Sequence, residues 1–184
     1  MSENKPITIA IQGFAGSFHE QAANYWAEKY LHEKISVISK HTFTEVFTAV
    51  VQSETDFGVV AIENTLIGSI GETLDQLLHQ NVKVVGEIIL HIHHHLLGVP
   101  GSSLKNIKTV QSQSQAIQQC WTFLNQLPDI EIKYAADTAI SVDDMMKKND
   151  ASVASIAGSR AQELYGAIKL AENLETNSEN YTRF

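Results

Sequence analysis

The chain has 184 residues, 43% hydrophobic and 18% charged, enough for a sizeable core in one domain or two small lobes. Its formal net charge of −8 and lack of any basic run argue against a nucleic-acid partner. One cysteine, Cys120, cannot close an internal disulfide, the start MSENKPITIAIQG has no signal-peptide pattern, and no apolar run approaches the roughly 18 residues of a membrane span, so the expectation is a cytoplasmic protein that does not associate with membranes.

Taken in chain order, short apolar runs alternate with helix-length patterns. Strands are predicted at Ile7–Gln12, Ile35–Ser39, Phe57–Ile62, Val82–His91, Ile107–Gln111, Ile130–Tyr134 and Ala151–Ile156, on their length and β-branched content. Helices are predicted between them at Phe18–Leu31, Phe43–Ser53, Ile70–His79, Gln113–Leu127, Thr138–Lys147 and Ala157–Tyr165. This alternation predicts an α/β fold with a largely parallel sheet. A gap near residue 80 suggests two lobes, with a ligand cleft between them. The segment from Gly166 to Phe184 carries no strong helix or strand pattern and is expected to return to the first lobe.

Four helix starts read as capping boxes: SFHE from Ser17, TFTE from Thr42, SIGE from Ser69 and SQSQ from Ser112. Capping alone accounts for Thr42. The other three have further context. Ser17 follows QGFAG, whose Gly13 and Gly16 permit a tight turn; Ser69 follows ENTLIG; Ser112 directly follows a predicted strand. Helix N-termini at strand ends present free N–H groups and partial positive charge, which suit an anion. Asp137 reads as the N-cap of the helix that begins at Thr138.

The densest polar stretch after an apolar strand is AIENTLIGS, which offers amides and hydroxyls rather than metal ligands. In HIHHH, a strand would carry His91, His93 and His95 on one face, a geometry that can chelate a divalent ion, but the flanking sequence supplies no supporting ligand pattern beyond Glu87. Cys120, beside Trp121 in a helical pattern, reads as a small buried apolar residue. Arg160 reads as a helix-surface charge or ion-pair partner. No P-loop, dinucleotide fingerprint or nucleophile elbow is present. The end of the sequence, NSENYTRF, taken alone reads as a polar tail.

In their order, QGFAGSFHEQAA, GVVAIENTLIGSIGETLDQLL, SQSQAIQQC, ADTAISV, ASVASIAGSRAQELYG and NYTRF resemble the catalytic domain of prephenate dehydratase, over nearly the whole chain. The resemblance implies two α/β lobes of the type II periplasmic-binding kind, with a cleft between them. The first would span about residues 5–80 plus a return at about 170–184, and the second about 81–169. It implies decarboxylating dehydration of prephenate to phenylpyruvate in phenylalanine biosynthesis, with no cofactor or metal. A homodimer or higher homo-oligomer is also implied.

By the same resemblance Thr182 is the catalytic threonine, acting on the departing hydroxyl, and Arg183 and Phe184 help to build the site. Arg183 is assigned to the substrate's pyruvyl carboxylate, which a guanidinium can grip bidentately. The other implied substrate contacts are Gly16, Ser17 and Phe18; Asn64, Thr65, Gly68 and Ser69; Ser112 and Gln113; and Thr138 and Ala139. His94 matches a family histidine near the lobe connection. Two departures stand out. Gln113 and Ser114 replace the family's usual His-Pro, so an imidazolium is unavailable there. Relatives commonly continue into a phenylalanine-sensing ACT domain, whereas this sequence stops at Phe184, so no inhibition by phenylalanine is expected of it. Two other readings stay open: arogenate dehydratase, and a non-catalytic small-anion binding module of the same fold.

Overall fold

A computed structural model describes residues 6–184. The chain divides into two compact units. Among the described residues, one comprises 6–14, Phe18–His91 and Tyr181–Phe184; the other comprises Ala15–Ser17 and Ile92–Asn180. Between the two long segments the chain passes from one unit to the other at 91/92 and 180/181, where the sequence suggested about 80/81 and 169/170.

The first unit is built around β1 (Ile7–Gln12), which pairs in parallel with β2 (Ile35–Lys40) and β3 (Phe57–Val59). Alternation along β1 sends Ile9 and Ile11 to one face and Ala10 to the other. Ile9 and Ile11 pack with Ala23, Trp26 and Ala27 of α1 (Phe18–Tyr30). Ala10 meets Val46 and Ala49 of α2 (Phe43–Val51). Small residues on that face let the helix approach closely: a Cβ on Gly58 would sit 2.9 Å from a Val46 methyl. Thr42 caps α2 as expected, accepting from the Glu45 N–H at 3.1 Å, while the Glu45 carboxylate reaches back to the His41 N–H at 2.9 Å.

A second ladder completes this unit. β4 (Glu63–Asn64) turns back on β5 (Gly68–Ser69), and β12 (Tyr181–Arg183) lies antiparallel between β4 and β6 (Ile89–His91). Helix α3 (Gly71–His79) follows β5. The strand expected over Val82–His91 forms only in its last three residues. Its ladder with β12 reaches back to Ile88, which exchanges hydrogen bonds with Phe184, and Val84 and Val85 stay exposed.

In the second unit the strand order is β11–β7–β10–β8–β9: Ile168–Ala171, His95–Gly98, Val153–Ala157, Thr109–Ser112 and Glu131–Tyr134. The last three are mutually parallel, as the β-α-β pattern predicts; β7 runs antiparallel to both of its neighbours. Leu96 and Leu97, adjacent on β7, face opposite cores. Leu96 packs with Ile117 and Cys120 from α4 (Ser114–Gln119) and the residue after it. Leu97 packs with Val142 and Met145 of α6 (Thr138–Lys148) and Ala161 of α7 (Ser159–Tyr165).

The single helix expected over Gln113–Leu127 is broken into α4 and α5 (Trp121–Leu124) at Cys120. There the Gln119 carbonyl accepts from the Thr176 N–H at 2.7 Å, a partner from outside the helix. Cys120 is fully buried, and burial pushes its thiol well above the usual range, as suits a core residue.

Two of the expected capping boxes are absent. α4 starts at Ser114 with Gln113 as its N-cap, and α3 starts at Gly71 with Ile70 as its N-cap; neither has a side-chain cap. Ser112 is the last residue of β8 and Ser69 the last of β5, so each hydroxyl lies a residue or more before its helix. Asp137 does cap α6, accepting from Ala139 and Ile140 N–H groups at 2.7 and 3.2 Å.

Candidate active site

The residues that carry chemistry in the first unit converge on β12. Antiparallel register sets Thr182 opposite Asn64 and Arg183 opposite Glu63. Alternation then puts the Thr182 side chain on one face of β12 and those of Tyr181 and Arg183 on the other. Thr182 is buried, and its Oγ1 accepts from Asn64 Nδ2 at 2.9 Å. The partner group is an amide donor. The threonine proton is therefore not used in that contact and stays available for donation.

Asn64 is itself held rigidly. Its Oδ1 accepts from the N–H groups of Leu66 and Ile67, at 2.9 and 3.2 Å, an Asx turn that fixes which end of the amide faces Thr182. The turn closes through Gly68 at φ +86°, a left-handed position opposite Asn64, which explains a glycine there. Thr65 clamps the start of β12: its N–H donates to the Tyr181 carbonyl, and its Oγ1 accepts from the Tyr181 N–H, both at 2.9 Å. Gly68 and Ser69 are exposed.

Arg183 is half-exposed. Its Nε lies 3.3 Å from a Glu63 carboxylate oxygen and 3.8 Å from one of Glu87. Both contacts are made by Nε, so Glu63 and Glu87 compete in charge with a substrate carboxylate while the terminal nitrogens carry four further N–H donors. Phe184 continues the ladder with Ile88, and its ring meets the edge of His19 at 5.0 Å and 85°. Phe18 opens α1 and is partly buried.

In the second unit, Gly16 has φ +90°, and a Cβ there would lie 3.1 Å from Ala161 Cα. Tyr165 Oη donates to the Ala15 carbonyl at 3.0 Å, tying the same turn to α7. The glycine is thus demanded both by conformation and by helix approach. Ser17 is buried beside it. Ser112 is fully buried, and its hydroxyl donates to the Ile156 carbonyl at 2.6 Å, so it serves the sheet. Gln113 is partly accessible. Thr138 and Ala139 form the first turn of α6, where the Ala139 N–H is already engaged by Asp137. Burial raises the Asp137 carboxyl pKa, against the two N–H groups that favour its charged form.

The histidine run does not form one face. β6 ends at His91 and β7 starts at His95, so the alternation assumed for a continuous strand is lost. His91 stacks on Tyr181 at 4.3 Å. His93 Nδ1 lies 2.7 Å from Glu175. His95 Nδ1 accepts from the Asn173 N–H at 3.3 Å, leaving Nε2–H to face Ser159 Oγ at 2.9 Å. Burial, reinforced by Lys169, lowers its pKa to about 4. His94 Nε2 lies 2.8 Å from Gln119 Oε1, which also accepts from Asn180 Nδ2 at 3.0 Å. Asn180 is fully buried and immediately precedes β12. Burial alone would raise the Glu175 carboxyl, but the His94 N–H and His93 outweigh it and the net shift is downward.

Gln119 and Asn180 lie inside the motifs SQSQAIQQC and NYTRF but were not singled out there, and Glu175 lies in no motif. His19 was visible only as one letter of a capping box.

A family model described as prephenate dehydratase matches residues 9–184. The bifunctional chorismate mutase/prephenate dehydratase of Stutzerimonas stutzeri is 37% identical over 186 residues, covering 98% of this chain and 48% of that protein. The solved prephenate dehydratase from Staphylococcus aureus subsp. aureus Mu50 is 29% identical with a TM-score of 0.77, covering 97% of this chain and 64% of the other. A structure described as GqqA, a novel type of quorum quenching acylase, is 26% identical with a TM-score of 0.82, covering 96% and 62%. The chain spans about half the length of the curated relatives it matches.

Proposed function

The chain belongs to the prephenate dehydratase family, and from that premise we propose that it catalyses the decarboxylating dehydration of prephenate to phenylpyruvate in phenylalanine biosynthesis, as a carbon–oxygen lyase of the cytoplasm. The observation that carries this reading is the polarity of one hydrogen bond: Asn64 donates to Thr182, so the Thr182 proton is directed elsewhere.

In the reaction the bond between the ring and its carboxylate breaks, and its electron pair enters the ring. The bond from the ring to the hydroxyl breaks in turn, and the departing oxygen takes a proton to leave as water. Aromatisation supplies much of the driving force. A threonine hydroxyl is a weak acid, so Thr182 acts as a positioned donor to the departing oxygen. General acid assistance of this type is worth about 10²–10⁴-fold, and alignment by the Asx turn of Asn64 adds to it. The ring carboxylate loses its charge as carbon dioxide forms, so holding it tightly would favour the ground state. Gln113 and the first turn of α6 at Thr138 are proposed as further substrate contacts. A homodimer or higher homo-oligomer and the exclusion of nucleic acid are proposed with them, the latter on the net charge of −8.

Amide hydrolysis, raised by the acylase description of one structural neighbour, needs a base on its nucleophile. The hydrogen-bond partner of Thr182 is a donor.

The test is turnover of prephenate, with arogenate in parallel, by wild type and Thr182→Ala. Phenylpyruvate from wild type, with kcat lowered about 10²-fold or more and KM little changed in the variant, supports the reading. Unchanged turnover in the variant sinks it; formation of phenylalanine from arogenate alone transfers the chemistry to that substrate.

A further inference from the structure

His19 is the second residue of α1 and takes part in none of the steps above. Its Nε2 accepts a hydrogen bond from the Ala61 N–H at 3.2 Å. The carbonyl of the same residue accepts from Thr73 Oγ1 at 2.8 Å, so Ala61 is gripped on both sides. One residue on, the Ile62 N–H donates to the Arg183 carbonyl at 2.9 Å; three residues on, Asn64 donates to Thr182. The same imidazole ring lies edge-on to Phe184 at 5.0 Å and 5.7 Å from the Phe43 ring. His19 therefore touches both partners of the ladder that sets Asn64 against Thr182: the entry to β4 through a hydrogen bond, and the end of β12 through ring packing.

We propose that His19 is a positioning residue for the Asn64–Thr182 pair, acting as a neutral Nδ1–H imidazole that holds the Ala61 peptide and the Phe184 ring in one arrangement. This rests on the dehydratase reading of Thr182. Only the neutral ring can do both jobs, since a protonated imidazole has no acceptor to offer Ala61. The surroundings favour that form: burial lowers its pKa to about 4 by desolvation, although the residue as a whole is only partly buried. An imidazole fits where other residues fail in one respect or the other. Phenylalanine keeps the ring and loses the acceptor. Glutamine keeps an acceptor and loses the ring.

The experiment uses wild type, His19→Phe and His19→Gln, with kcat and KM for prephenate. It adds ¹⁵N shifts of the His19 ring and amide shifts of Ala61, Asn64 and Thr182. The expected ring shifts are those of an Nδ1–H tautomer with an accepting Nε2. His19→Phe should lower kcat about tenfold with KM within about twofold, and move the Asn64 and Thr182 amides. His19→Gln should recover part of kcat and return the Ala61 amide toward its wild-type shift. Wild-type kcat and unmoved Asn64 and Thr182 amides in His19→Phe overturn the proposal. So does an Nε2–H tautomer in wild type. A wild type that turns over no substrate would remove the dehydratase reading, while the amide and ring shifts would still decide whether His19 positions the pair.

Discussion

Replacing Asn64 by Asp tests the hydrogen-bond polarity directly. The change is nearly isosteric, and the new carboxylate can still accept from the Leu66 and Ile67 N–H groups, so the turn is kept. What changes is the 2.9 Å contact to Thr182. A carboxylate can only accept, so the threonine proton turns inward to it. That charge-assisted bond is worth about 1.5–3 kcal/mol, and it must be broken before the hydroxyl can serve the departing oxygen. At about 1.4 kcal/mol per factor of ten, kcat falls about 10- to 150-fold. KM should rise as well, because a new negative charge meets a dianion. Asn64→Ala is the control: it loses the turn and the donor but leaves the threonine proton unclaimed. Stability should therefore rank Asn64→Asp above Asn64→Ala, while kcat ranks them the other way. Thermal melts and initial rates of phenylpyruvate formation at neutral pH measure the two orders. As pH drops through the pKa of the new carboxyl it regains a proton, and part of kcat should return. An Asn64→Asp variant with kcat equal to or above that of Asn64→Ala would refute the reasoning.

Two further outcomes follow from the geometry. Gly16→Ala must accommodate φ +90° and a Cβ contact of 3.1 Å with Ala161 Cα; it should cost about 1–3 kcal/mol and lower Tm by roughly 2–10 °C, read by calorimetry. His95 is buried with its pKa lowered from 6.5 to about 4, so the unfolded chain binds its proton first. Its contribution to stability is complete above pH 6.5 and is lost as pH falls from there toward 4, by about 2 kcal/mol at pH 5. Tm should accordingly drop between pH 7.5 and pH 5, and His95→Gln should flatten that slope.

Long periodic elements were legible in the sequence. β1 runs from Ile7 to Gln12 as expected, and α1, α2, α3 and α6 agree within one or two residues at each end, because hydrophobic alternation and helix period survive in any context. What escaped was the short, non-local structure. β4, β5 and β12 have two or three residues each and exist only because they pair with one another, so no local pattern marks them. The histidine run read as one strand because alternation cannot show that a backbone breaks between His91 and His95. Ser112 read as a cap because its hydroxyl stands near a helix start; the structure gives that hydroxyl to Ile156. The candidate site divides the same way. Thr182 and Asn64 were nameable by resemblance, but which donates to which depends on the turn that orients the Asn64 amide. That turn shows only in three dimensions.

The contact between Asn64 and Thr182 joins positions 118 residues apart. Closing a loop of that length costs about 4 kcal/mol of chain entropy, and during synthesis it cannot begin until the residues around 180 have left the ribosome. Until then β4 and β6 lack the strand that lies between them. The second unit's strands, β7 to β11, are all made earlier and can pair while the first unit waits. An arrested or slowly translated chain would thus hold one unit able to fold and another with two open strand edges, a state prone to pairing with its neighbours. The order of emergence makes the donor pair the last part of the first unit to assemble.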